Sequence, residues 1–193
     1  MELERISEYI GLGGFILWAI VERGFSLSGQ QQSKGRKQHQ GSYWLISLCW
    51  YGAMIFSMFD ALSLRITVFV TPLWILRGLG IILILSGIVM RFLARKILGK
   101  QYSVHLETSD THNLVTTGIY RVIRHPAYFG LMCLFVGIPL SMGSWGGIIF
   151  AVAGGIPAII YRIVLEEKLL NERFGMQYKE YNEKTWRLVP YLW

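Results

Sequence analysis

Residues Pro126 to Tyr161 form a run of 36 residues without a single charge. As one helix this run would measure about 54 Å at about 1.5 Å per residue. The hydrocarbon layer of a bilayer is only about 30 Å thick, so the run must double back. Pro139 and the small residues Ser141, Gly143 and Ser144 mark a turn near its middle, which predicts a helical hairpin. Pro126 suits the first helical turn, where its missing N–H would go unpaired anyway. Folding back brings the two charged ends together at one membrane face. Arg124 and His125 stand at one end, and Arg162, Glu166 and Glu167 at the other. A chain made mostly of lipid-soluble helices can build a polar site in this way.

The rest of the chain supports an all-α integral membrane protein. Only 16% of its 193 residues are charged, against about 25% in soluble domains. Five spans are expected. The first covers Ile6 to Val21, and its uncharged core, Tyr9 to Val21, is only 13 residues long. A Gly/Ser/Gln-rich linker, expected to be a flexible surface loop, leads to a second helix from Tyr43 to Phe59 or beyond. Asp60 to Thr71 reads as a short connection, and the third helix as Leu73 to Ala94. Arg77, near its start, is expected to snorkel to the interface. Helices four and five are the hairpin. On the second of them Gly143, Gly147, Ala151 and Gly155 recur every four residues, a stripe suited to close helix packing in lipid. The tail from Lys168 to Trp193 is amphipathic and expected to lie along the surface. The chain reads as one membrane domain, 1–193, with three spans in 1–95 and the polar loop, hairpin and tail in 96–193. Sixteen of the nineteen Lys and Arg residues fall on one side of this arrangement. That bias places the N-terminus outside and the C-terminus in the cytoplasm, with the polar site facing the cytoplasm.

Several function classes are excluded or disfavoured. There is no GxGxxG after a strand-like run and no GxxxxGK[ST], so no soluble nucleotide-binding fold is expected. The net charge of +7 comes from basic residues flanking apolar runs, which argues for a membrane rather than nucleic acid. Cys49 and Cys133 lie in apolar runs and imply neither a disulfide framework nor a zinc site. His105, His112 and His125 are spaced seven and thirteen apart, which matches no common metal pattern, so no metal is expected. No Ser or Cys lies in a nucleophile motif. Arg162 and Glu166, four apart, share a helix face, and Glu167 points about 100° away. Charge placement alone fits an interfacial ion-pair network that anchors the tail as well as it fits a catalytic site. The segment from Lys96 to Arg124 is long and polar, and an ordered loop of that length is usually functional.

Four motifs go further. They are H-x-L-V-T-x-G-x-Y from His112, R-H-P-x-Y-x-G from Arg124, R-x-x-x-E-E from Arg162 and F-G-x-x-Y-x-x-Y from Phe174. In this order and at these spacings the stretch from about Gly99 to Pro190 resembles the C-terminal half of the isoprenylcysteine carboxyl methyltransferase family. These are integral membrane enzymes that use S-adenosylmethionine. Phospholipid N-methyltransferases share the general pattern, and some membrane sterol reductases have a similar C-terminal region. The resemblance implies that His112, Asn113, Leu114 and Val115 contact the cofactor, largely through backbone. It implies that Tyr120 and the turn His125, Pro126, Ala127 and Tyr128 wrap its other side. Glu166 and Glu167 would complete the pocket, and Arg162 would hold the substrate's carboxylate, with Arg162 and Glu167 as the catalytic pair. The loop and the tail would enclose the cofactor, and S-adenosylhomocysteine would be the product. The N-terminal half has fewer spans than eukaryotic members of the family.

Methyl transfer suits such a site. A cationic sulfonium donor and an anionic carboxylate neutralise each other as the reaction proceeds, and alignment of the two can contribute about 7–11 kcal/mol. A carboxylate acceptor needs no general base, whereas an amine must first lose a proton, which Glu167 could take. The acceptor would be a lipophilic or prenylated molecule entering from the bilayer, with membrane lipid around it. The rival readings are a phospholipid amine methyltransferase, a sterol-type reductase and a non-catalytic membrane scaffold or small transporter.

Overall fold

The computed structural model describes residues 6, 8–20, 36–38, 40–69, 74–99, 106–108 and 114–192. Its architecture is helical. The helices are α1 (Glu8–Ile20), α2 (Gln40–Phe59), α3 (Trp74–Leu98), α4 (Pro126–Met142), α5 (Trp145–Phe150), α6 (Ile156–Phe174) and α7 (Met176–Glu183). A π-helical turn, Asp60–Leu64, prolongs α2, and another, Ala151–Gly155, joins α5 to α6. Among the described residues, three helical stretches are long and apolar enough to cross a membrane: Gly41–Leu64, Trp74–Leu98 and Trp145–Phe174. The apolar helices α1 and α4 are shorter. Large apolar side chains on α3, including Ile75, Leu79, Ile82, Leu85, Val89 and Phe92, face outward, as lipid contact requires.

Several boundaries move from the sequence reading. Asp60 to Leu64 is expected in a connection but extends α2 as a π-helical turn, and the Asp60 carboxylate accepts from donors of the chain beyond it. Asp60 Oδ1 accepts the Ile66 and Thr67 amides at 2.9 Å each, and Oδ2 accepts the Ser144 hydroxyl at 2.7 Å. This ties the end of α2 to the turn after α4. Helix α3 runs one turn beyond Ala94 to Leu98. The linker after α1 is not wholly loop. Its residues Arg36–Gln38 (β1) pair antiparallel with Leu106–Thr108 (β2), with Lys37 opposite Glu107. Arg77 does not snorkel. It is 5% exposed and lies 3.8 Å from Glu8, itself buried on α1, because two opposite charges inside the bundle satisfy each other.

Helix α4 begins at Pro126 and runs through Pro139 to a left-handed Gly143, φ 76°. That conformation costs glycine nothing, and Ser144 then caps α5 by accepting the Gly147 amide. The small-residue stripe is packed. Ala151 is fully buried, and Gly155 lies against the Phe135 ring. A tighter crossing joins α3 to α4. A Cβ on Gly87 would stand 2.7 Å from the Gly130 carbonyl oxygen, and one on Gly130 would stand 2.7 Å from the Gly87 oxygen. Gly80 and Gly137 repeat the arrangement two turns away. The two backbones touch because neither carries a side chain at these points. Beside this crossing lies an aromatic core in which Trp50 stands 4.5 Å from Trp18 and 4.6 Å from Phe135, centroid to centroid.

Candidate functional site

The site forms where the start of α4 meets the far part of α6. Helix α6 carries Arg162, Glu166 and Glu167 past the apolar section, and its next turns remain helical to Phe174. His125 immediately precedes α4, and its backbone oxygen accepts the Tyr128 and Phe129 amides. From α3, Arg91 reaches across at 3.1 Å to donate to the Ala127 carbonyl. The glycine crossing between α3 and α4 therefore sets where the turn from His125 to Tyr128 stands.

Two polar clusters result, one on each of the two faces of α6 that the carboxylates define. In the first, the Arg162 Nε donates to the Tyr128 hydroxyl at 2.9 Å, and that hydroxyl donates to Glu166 Oε2 at 2.7 Å. Arg162 Nη1 donates to the Ser42 hydroxyl on α2, also at 2.9 Å. Arg162 and Ser42 are both buried, whereas the Glu166 side chain is 30% exposed. The Arg162 guanidinium is thus buried and oriented at two of its nitrogens.

In the second cluster, Glu167 gathers donors from three directions. Its Oε1 lies 3.3 Å from Arg124 Nε, 3.3 Å from His125 Nε2 and 3.0 Å from Arg187 Nε. Its Oε2 lies 2.8 Å from Arg187 Nη2. Arg124 also donates to the Asn182 and Thr185 carbonyls. The tail is thus held against the start of α4, and backbone bonds extend the contact. The amides of Arg124 and His125 donate to the Trp186 and Arg187 carbonyls at 2.8 and 3.1 Å, and the Trp186 amide returns to Val122 at 2.9 Å. The sequence reading laid this tail along the surface. Instead Lys168 to Phe174 continue α6, and Trp186 makes a parallel bridge with Ile123. Backbone groups at the polar end of a membrane helix need partners, and each segment supplies the other's.

On α7, Tyr181 donates to the Tyr120 carbonyl at 2.6 Å, and burial pushes its own hydroxyl up to about 12, with Arg124 pulling the other way. Tyr120 belongs to a short 3-10 turn, Gly118–Arg121, and is buried. Gly118 has φ 62°, where a side chain would be strained, and packs on Ile97.

The structure therefore brings His125, Pro126, Ala127, Tyr128, Arg162, Glu166 and Glu167 together, with Tyr120 joined through Tyr181. Leu114 and Val115 are half-buried on the extended segment before the 3-10 turn. His112, Asn113 and His105 lie outside the described residues. Ser42 and Arg187 were missed. A lone serine at the edge of a polar linker gives no signal, and Arg187 was counted only as tail charge.

Comparison with known proteins finds relatives of the chain in sequence and in fold. The sequence model of the phospholipid methyltransferase family matches residues 75–177. A probable protein-S-isoprenylcysteine O-methyltransferase from Oryza sativa subsp. indica is 29% identical over 168 residues, covering 82% of this chain and 84% of that one. Protein-S-isoprenylcysteine O-methyltransferase A from Arabidopsis thaliana is 33% identical over 122 residues, 62% of this chain and 61% of that one. Among solved structures, the eukaryotic intramembrane Ras methyltransferase, an isoprenylcysteine carboxyl methyltransferase, superposes with a TM-score of 0.55 at 26% identity. The match covers 80% of this chain but 54% of that protein, so this chain spans about half of its length. The chain belongs to the phospholipid methyltransferase family and is a membrane-integral methyltransferase.

Proposed function

We propose that the protein transfers a methyl group from S-adenosylmethionine to the carboxylate of a lipophilic, isoprenylcysteine-like acceptor. The observation that carries the choice of acceptor is Arg162, a buried guanidinium oriented by Tyr128 and Ser42. Such a fork pairs with a planar carboxylate and holds its reacting oxygen in place. The rice and Arabidopsis relatives, named as protein-S-isoprenylcysteine O-methyltransferases, support the same acceptor class.

The residues present fit the donor. Glu166 is partly exposed, and Tyr128 and His125 stand beside it, offering acceptor and donor groups for a cationic, hydroxyl-rich molecule. Tyr120 and the His125, Pro126, Ala127 and Tyr128 turn would form one wall, with Glu166 opposite. His112, Asn113, Leu114 and Val115 would add backbone contacts. When bound, the donor supplies a methyl group activated by a positively charged sulfur. Arg162 would hold the acceptor carboxylate so that one of its oxygens takes the methyl group from sulfur, and the products would be a methyl ester and S-adenosylhomocysteine. No proton has to move. Glu167 acts by holding His125 and the tail in position. Both its oxygens already accept from cationic or imidazole donors, which leaves it poorly placed to deprotonate an amine.

The fold is read as a single membrane domain with five crossings, α1 and α4 being the short ones, and with α4 and α5–α6 as a hairpin. The N-terminus lies outside and the C-terminus and site in the cytoplasm. The distribution of basic residues supports that orientation. The family's own description favours a phospholipid amine as the second candidate acceptor. Labelled S-adenosylmethionine, supplied with the protein and membrane extract, separates the two. Label released by mild base is a methyl ester and supports the proposal; base-stable label on a lipid headgroup refutes it.

A further inference from the structure

We infer that the Tyr178 hydroxyl is a binding group for the methyl donor, giving a hydrogen bond to an oxygen of the bound cofactor. This rests on the S-adenosylmethionine reading above. Tyr178 lies on α7 and is 3% exposed, and its hydroxyl has no hydrogen-bond partner among the described residues. The neighbouring tyrosines Tyr181 and Tyr128 differ. Tyr181 donates to Tyr120, and Tyr128 donates to Glu166 and accepts from Arg162. A buried hydroxyl left unpaired destabilises the chain that carries it. Phenylalanine would fill the same space, edge-on to Tyr181 at 6.1 Å, without that cost.

The position explains the oxygen. Helix α7 is held at the site by the Arg124 bond to the Asn182 carbonyl and the Tyr181 bond to Tyr120, and the charges of Glu167, Arg124 and Glu166 act on the Tyr178 hydroxyl. Burial, then Glu167, push this phenol above its ordinary range, so it remains protonated and acts as a donor. A neutral donor beside carboxylates that already have partners suits an acceptor brought in from outside. The donor molecule's ribose hydroxyls and methionyl carboxylate are such acceptors. The F-G-x-x-Y-x-x-Y motif thus divides its labour, with Tyr181 closing the tail onto Tyr120 and Tyr178 meeting the ligand.

The test compares the wild-type chain with Tyr178→Phe, both purified in detergent, by thermal unfolding and by titration with S-adenosylhomocysteine. A hydrogen bond to the ligand predicts a split result. Without ligand the variant is as stable as wild type or melts a few degrees higher, while its Kd rises about three- to tenfold. Equal Kd values overturn the inference and leave the cofactor reading standing. A variant less stable than wild type without ligand also overturns it, because the hydroxyl then has a partner within the chain. A wild-type protein that binds no S-adenosylhomocysteine overturns the cofactor reading, and this inference with it.

Discussion

Gly87→Ala should destabilise the protein relative to Gly78→Ala, although both add one methyl group to the same helix. Both substitutions gain the same helix propensity, about 1 kcal/mol. That gain cancels in the comparison and leaves the packing term. A Cβ at Gly78 meets nothing within 4 Å. At Gly87 it would stand 2.7 Å from the Gly130 oxygen, 2.8 Å from Leu134 Cγ and 3.3 Å from Cys133 Cβ. Ordinary contact begins at 3.4 Å, so α3 and α4 would have to part by about 0.7 Å. A gap of that size forfeits roughly a quarter to a half of each dispersion contact it opens. Overpacking of this kind costs about 1–3 kcal/mol, which for a chain of this length shifts Tm by about 2–4 °C per kcal/mol. Thermal unfolding in detergent should therefore place Gly87→Ala about 2–12 °C below Gly78→Ala. Turnover should fall as well, since Arg91 carries the position of α3 to Ala127. A Gly87→Ala protein as stable as Gly78→Ala would refute the backbone crossing.

Three further outcomes are expected. Glu167→Gln removes the anion shared by Arg124, His125 and Arg187, and should cost about 3 kcal/mol with a sharp loss of turnover; denaturant unfolding and product assays check both. Ser42→Ala should raise KM for the acceptor about three- to tenfold by removing the bond that orients Arg162 Nη1, while leaving the Kd for S-adenosylhomocysteine unchanged. The Tyr181 phenol is raised in the folded chain from an unfolded value near about 10. Its share of stability is therefore complete below about pH 10 and lost as pH rises through about 12; thermal scans from pH 9 to 12 should show a smaller loss in Tyr181→Phe than in wild type, because the raised Tyr178 phenol contributes in both.

The parts of the fold that follow from length and charge were legible. A 36-residue apolar run has to break, and it breaks at Gly143, where a left-handed residue is cheapest. Helix α6 carries Arg162, Glu166 and Glu167 into the polar zone because nothing after Tyr161 stops it before Gly175. The contacts that depend on distant partners were not legible. Gly80 and Gly87 sit seven residues apart on α3, as Gly130 and Gly137 do on α4, and only the packing of the two helices makes them an interface. Arg77 looked like an interfacial anchor because Glu8, far off in the chain, is its partner. The division of the acidic pair was half visible. Helical geometry sends the two carboxylates to different faces, but it does not reveal that Arg187 returns from the tail to claim Glu167.

The crossing of α3 and α4 also limits how the bundle can open. Where carbonyl oxygens and α-carbons already touch, no side chain can swing aside, so the two helices behave as a single rigid wall. Near the site, α2 and α6 are joined differently, by the bond between Ser42 and Arg162, which a rotamer change can break. Any doorway through which a greasy molecule slips sideways from the bilayer belongs on that softer seam, and its latch would be the same arginine that is proposed to receive the guest.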